Sequence, residues 1–213
     1  MKVILVNGSP HKDGCTYTAL QEVEKELNAA GVETEMFWLG VKPISGCLGC
    51  GACCRRGPNG EKPSGLCVID DIVNEFIAKA KEADGFVFGS PVHYAALSGA
   101  LTSFMDRAFY GKGAVYRYKP AAGIVSARRG GTTAAFDQIN KYFTISSMPV
   151  ASSTYWNQIH GAKPGEAAQD PEGIRTVRTL AKNVSFLIRA IAAEKAEKGL
   201  PEPEPKAFTN FIR

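Results

Sequence analysis

KVILVNGSPHKDGCTYT, residues 2–18, is the stretch on which the fold turns. Val3 to Val6 form a short, β-branched apolar run that stops at Asn7 and Gly8, the pattern of a strand buried on both faces of a parallel sheet. A loop rich in Gly, Ser and Thr follows. Beyond it Leu20, Val23 and Leu27 recur at helical spacing, and Gly31 is placed to close that helix as a left-handed cap.

Working outward, ETEMFWL (33–39) reads as a second strand, while residues 39–70 show neither period and hold five of the six cysteines. Loops of that length are uncommon in compact domains and usually functional. Asp70 and Asp71 can cap a helix with the apolar stripe Ile72, Val73, Phe76, Ile77 and Ala80, and GFVFGS (85–90) is a third strand. Leu101, Phe104, Met105 and Ala108 mark a helix, AAGIVSA (121–127) a fourth strand, and Phe136, Ile139 and Phe143 another helix. MPVASS (148–153) is the expected fifth strand. Asp170 and Pro171 then start a last helix that carries Ile174, Val177, Leu180, Val184, Leu187 and Ile191 inward. Five such alternations predict an α/β fold: a doubly wound, five-stranded parallel sheet with helices on both faces. Residues 1–200 are expected to form one domain, with 201–213 as a C-terminal tail.

The chain has 213 residues, enough to bury a core without disulfides or metal, and its formal charge of +4 is spread along its length. Nucleic-acid binding would want a concentrated basic stripe; only Arg55–Arg56 and Arg128–Arg129 pair up, which suits a small anion better. No apolar run reaches the roughly 18 residues of a membrane span. The segment Val3–Asn7 is too short for a signal-peptide core. The expected location is therefore cytoplasmic, where thiols stay reduced and clustered cysteines favour metal or redox chemistry.

In a doubly wound sheet, ligands bind beyond the carboxyl ends of the strands, where the strand order reverses. Three loops leave strands there: 7–16, 89–99 and 126–131. The first runs into a helix start, a natural phosphate site, with Gly8 and Gly14 allowing close approach and Ser9, Thr16 and Thr18 adding hydroxyls. Neither a Walker ending nor Gly-x-Gly-x-x-Gly is present, which speaks against ATP and Rossmann-type dinucleotides. The second loop sets Pro91, Val92, His93 and Tyr94 after a buried strand, where main chain and a ring can face a flat heterocycle. SARRGGTT (126–133) places two arginines before two glycines, so that a guanidinium can meet an anion while the chain passes near a ring.

GCLGCGACC (46–54) puts Cys47, Cys50 and Cys53 at C-x2-C-x2-C spacing, which lets successive thiolates point at one cubane from a tight turn eased by Gly49 and Gly51. A [4Fe-4S] cluster needs a fourth ligand, and Cys67 is the candidate, with Cys54 left over. Other readings stay open: a zinc site, a phosphatase loop on the Cys50-x5-Arg56 spacing, or thiols packed under the loop with no cluster.

The three loops, in this order and spacing, resemble the FMN-binding loops of the flavodoxin-like NADPH-dependent FMN reductase family, over roughly residues 1–150. Flavodoxin is itself the standard example of FMN at the switch point. The resemblance implies strand order 2-1-3-4-5 and an FMN phosphate surrounded by Ser9, His11, Gly14, Cys15 and Thr16. It sets Pro91, Val92, His93 and Tyr94 along the isoalloxazine, with Ser126, Arg128 and Gly130 on its other rim. The family often has Arg where this chain has His11, and Asn where it has Cys15. The cysteine loop before the Asp-Asp helix is similar to that of the iron-sulfur flavoproteins of the same superfamily, although there the fourth cysteine follows closely behind the third, whereas thirteen residues separate Cys53 from Cys67 here. The implied function is an FMN-dependent oxidoreductase that takes electrons from NAD(P)H and passes them to a flavin, quinone or similar acceptor. The alternatives are an electron carrier with FMN and a [4Fe-4S] cluster, reduced by ferredoxin, and a module that holds FMN without turnover. A homodimer or homotetramer is expected by the same likeness.

Overall fold

The first strand, β1 (Lys2–Asn7), lies between β2 (Glu33–Trp38) and β3 (Gly85–His93), and all three run parallel. β3 pairs next with β5 (Ala121–Ala127) and β5 with β6 (Gln158–His160), again parallel. The path β2-β1-β3-β5-β6 is the expected order, because the two-residue β4 (Ala96–Leu97) only folds back on β3. The computed structural model of the chain describes residues 1–59, 61, 63–110, 113–205, 207, 209 and 211. Part of the expected tail, 201–213, therefore lies outside the described residues.

Alternation along the strands divides the core into two layers. Ile4, Val6, Phe86, Phe88 and Val125 face α2 (Ile72–Glu82), α3 (Gly99–Phe109) and α5 (Thr132–Ile145). Val3, Leu5, Val87, Ala122 and Ile124 face α1 (Cys15–Ala29) and α6 (Pro171–Lys198). One short helix, α4 (Gly113–Tyr116), precedes β5. The first layer is aromatic: Phe76 is fully buried and meets the rings of Phe37, Phe86, Phe88 and Phe104 at centroid distances of 5.0–6.0 Å. The helix starts follow the sequence signals, with Asp71 Oδ1 accepting from Val73 N at 3.0 Å and Asp170 Oδ1 from Gly173 N at 2.9 Å. Among the described residues no helix is long and apolar enough to cross a membrane.

Two expectations need correction. MPVASS makes only an isolated bridge, Ala121 to Val150, and the fifth parallel strand is Gln158–His160. Pro149 lacks the N–H a strand would donate, and the chain leaves the sheet after Ala151 before returning seven residues later. In addition β3 runs on to His93, so the loop expected at 89–99 is mostly strand and hairpin.

Phe76→Ala should lower unfolding free energy by roughly 3–5 kcal/mol, a large part of a normal total, and shift the urea midpoint accordingly. At the surface, Glu35 bridges Lys2 (2.6 Å) and Lys79 (2.7 Å), and these ammonium groups, Lys2 foremost, hold its carboxyl below the ordinary value. Its contribution is present above the unfolded value of about 4.3 and lost as pH falls through the lower folded one. Glu35→Gln should therefore cost about 1 kcal/mol or less at pH 7 and nothing well below pH 3, read as thermal unfolding of both proteins at the two pH values.

Candidate functional site

The loop after β1 is held open from below. Asn7 is fully buried; its Oδ1 accepts from Ser9 N at 3.0 Å and its Nδ2 donates to Lys12 O at 3.2 Å. Ser9 Oγ accepts from His11 N at 3.1 Å, and Trp38 Nε1 donates to Ser9 O at 2.8 Å. The loop thus ends at Gly14, the N-terminal residue flanking α1, where no side chain caps the helix. Thr18 turns inward to the Gly14 carbonyl at 3.3 Å, so its hydroxyl is spent on the helix itself. The first N–H groups of α1 are left to whatever enters from outside, and the helix dipole favours an anion there.

The second loop is tied to the first. Gly8 N donates to Gly89 O at 2.9 Å, and Ser98 Oγ donates to Gly8 O at 2.7 Å while capping Leu101 N of α3 at 3.2 Å. β3 and β4 form a hairpin whose two turn residues, Tyr94 (φ 50°) and Ala95 (φ 58°), both lie in the left-handed region. Such turns ordinarily use Asn and Gly, so the backbone is strained at the tip, where Tyr94 is fully exposed. Gly131 (φ 93°) lies against this hairpin; a Cβ there would sit 2.9 Å from Ala95 Cα. α5 also begins without a side-chain cap.

Ten of the twelve residues expected at a ligand line one open cleft with about 1010 Å³ of empty volume. Ser9, His11, Gly14, Cys15 and Thr16 form one wall. Pro91, Val92 and His93 form a second, and Ser126 and Arg128 a third. Tyr94 and Gly130 stand outside this lining. Thr16 and Ser126, both buried, place their hydroxyl oxygens 2.7 Å apart. Two hydroxyls have two protons, and one suffices for their mutual bond, which leaves the second to donate into the cleft. The fourth wall, Gly161–Pro164, lies outside the expected set, because the strand that leads into it starts ten residues after MPVASS does. Cys15 Sγ donates to Lys163 O at 3.2 Å, closing this wall onto α1. Nearby, N–H groups of Ala162 and Lys163 donate to Glu166 Oε2 at 2.7 and 3.1 Å, and they hold its carboxyl below the usual range, with smaller help from the Lys163 and Arg128 charges.

A second cavity gathers Cys47, Cys50, Cys53 and Cys67, with Arg107 and Tyr110 beside them. Gly49 (φ 64°) and Gly51 (φ 68°) are both left-handed, which turns the chain back between successive cysteines. Gly49 N donates to Cys47 Sγ at 3.4 Å. Cys54 is exposed and does not line the cavity. Among the described residues the cysteines form no disulfide, and no three acidic, His or Cys groups converge closely enough for a single ion. Four cysteines lining one space without converging on a single point suit a cubane, in which each thiolate would bind a different iron, better than one tetrahedral zinc.

Arg107 is the residue that sequence reading missed here. It is 3% exposed, and its five N–H donors all find acceptors. Nη1 and Nη2 form a bidentate pair with Asp71 at 2.6 and 2.8 Å, Nη1 also reaches Ser45 O at 3.3 Å, Nη2 reaches Ile69 O at 2.9 Å, and Nε reaches Cys67 Sγ at 3.3 Å. Its position, three residues after Phe104 and beside Ala108 on the apolar stripe of α3, was the available signal. Asn74 of α2 grips the same cysteine through its backbone, with Oδ1 accepting from Cys67 N at 2.8 Å and Nδ2 donating to Cys67 O at 2.9 Å.

Comparison with known proteins agrees with this geometry. The model of the NADPH-dependent FMN reductase family matches residues 1–162. An iron-sulfur flavoprotein of Methanocaldococcus jannaschii is 34% identical over 199 residues, covering 90% of this chain and 99% of that protein. One from Methanosarcina thermophila is 26% identical, covering 90% and 97%. Among solved structures, RosB superposes with a TM-score of 0.64 at 14% identity over 100% of this chain and 94% of its own, and an archaeal flavodoxin with 0.54 at 17% over 86% and 99%; these show the fold alone. By its loops, its sheet order and its likeness over nearly the whole length, the chain belongs to the NADPH-dependent FMN reductase family, in the branch of the iron-sulfur flavoproteins.

Proposed function

We propose that the protein is an FMN-dependent oxidoreductase whose cleft holds the flavin and whose cysteine cavity holds a [4Fe-4S] cluster on Cys47, Cys50, Cys53 and Cys67. The observation that carries this reading is the shared cavity: Cys67 lies far from the other three in sequence, yet lines the same space. Bound FMN supplies both two-electron and one-electron chemistry, and a [4Fe-4S] centre supplies one-electron exchange. The chain's own contribution is binding and electrostatics. The uncapped start of α1 and the spare hydroxyl proton of the Thr16–Ser126 pair are donors for the phosphate, and Arg128 and Lys163 add cations at the cleft wall. Lys163 brings to the cleft a cation that His11 then need not supply. Pro91, Val92 and His93 offer backbone to the ring system. Gly130 and Tyr94, outside the cleft lining, belong to the proposal only as residues that close on a bound ring.

NAD(P)H is the proposed two-electron donor, with Arg128 or Arg129 meeting its phosphate, and a flavin or quinone the acceptor. A second donor, ferredoxin, is favoured by one feature: Leu48 and Val68 on the cavity wall are well exposed, so a protein partner can reach the cysteines directly. An assembly of two or four copies belongs to the same proposal.

Protein purified without oxygen should show flavin bands over a broad brown absorbance and about four irons per chain, as this cluster type requires. Flavin without iron would leave an FMN reductase with unligated thiols, and a protein unable to take up FMN would sink the whole reading. Thr16→Val should weaken FMN binding about tenfold or more, the loss of one hydrogen bond to a charged group, and Thr16→Ser should restore it. Unchanged affinity in a fluorescence titration of Thr16→Val would place the phosphate elsewhere.

A further inference from the structure

We propose that Arg107 is a positioning residue that sets Cys67 as the cluster's fourth ligand and raises the cluster's reduction potential. This rests on the cluster reading above. Thirteen residues separate Cys53 from Cys67, so spacing along the chain does not bring the fourth sulfur to the others. The tertiary structure does, through two side chains from different helices: Asn74 holds both backbone polar groups of Cys67, and Arg107 Nε points at its sulfur. The same guanidinium grips Ser45 O before the first cysteine and Ile69 O after the last, so it joins both ends of the loop. Asp71, which caps α2 through Val73 N, fixes its orientation by the bidentate pair.

A structural strut would need only the carbonyls and the carboxylate. The fifth donor, Nε, is turned to a thiol sulfur that lines the cavity, where it does work on charge. Reduction adds one electron to a cluster and no proton, making it more negative by one charge. An N–H donor carrying positive charge favours the reduced state over the oxidised one, and more strongly here because the guanidinium itself is shielded from water.

The test uses the full chain, purified without oxygen, as wild type, Arg107→Lys, Arg107→Gln, Cys67→Ser and Cys54→Ser. Iron and sulfide are assayed, and the cluster is titrated with viologen-type dyes while electron paramagnetic resonance follows its reduction. Arg107→Lys keeps the charge but loses the fork, and Arg107→Gln loses both, so the potential should fall in that order. Arg107→Gln should shift the reduction equilibrium at least tenfold toward the oxidised form, about 59 mV for one electron. Cys67→Ser should lose its full iron complement and Cys54→Ser keep it. Should Arg107→Gln fail to fold, Arg107→Lys decides alone. A wild-type potential in each Arg107 variant that folds and holds full iron overturns this inference and leaves the cluster reading standing. Four irons in Cys67→Ser overturn it as well and take Cys67 out of the proposed ligand set. Wild type without iron removes both.

Discussion

The parallel pairing of β1, β3 and β5 is the constraint on which the molecule depends. Because these strands all run the same way, the loops that follow them emerge at one edge, and so does the segment after β6. These three central strands are buried on both faces over most of their length, so they are largely apolar and held in register by layers of helices on either side. A loop on such a base has little freedom. Its polar groups must find partners close by, and here Asn7, Ser98 and Trp38 supply them.

α3 links the two candidate centres mechanically. Its N-terminal flanking residue, Ser98, donates to Gly8 O in the first loop, and Arg107 in its last turn holds the cysteine loop. From Ser98 to Arg107 a helix rises roughly 14 Å at about 1.5 Å per residue. The ends of one rigid element therefore contact both the cleft wall and the cysteine cavity. Phe104 and Met105 between them are fully buried, so the helix cannot slide without disturbing the aromatic layer.

The two centres are built differently. The cleft is made largely of backbone and hydroxyls at strand ends, with charge brought to its wall by exposed side chains such as Arg128. The cysteine cavity is organised by one buried cation whose charge is balanced by Asp71, a pair that is justified only when every remaining donor is satisfied. Arg107 meets that condition, and it does so by using the loop's own carbonyls and a cysteine sulfur.

Much was legible in the residues themselves. Apolar runs, helical stripes and the caps at Asp71 and Asp170 are local signals, and they identified β1, β2, β5, all but the end of β3, and every long helix. The three loops and the cysteine triplet were also legible, since glycine, hydroxyl and thiol spacing reports what a backbone can do within a few residues. The last strand was not: MPVASS carries the apolar run, QIH has only Ile159 to bury, and which one joins the sheet depends on what β5 can pair with. Nor were the wall at Gly161–Pro164, the hairpin that lifts Tyr94 from the cleft, or Arg107. The sequence by itself determined the order of elements and the chemistry carried by each loop, because propensity and periodicity act over a few residues. Only the tertiary structure decided which of those groups share a space, because hydrogen bonds and buried charge pairs between Cys67, Asn74, Asp71 and Arg107 join residues that are far apart in the chain.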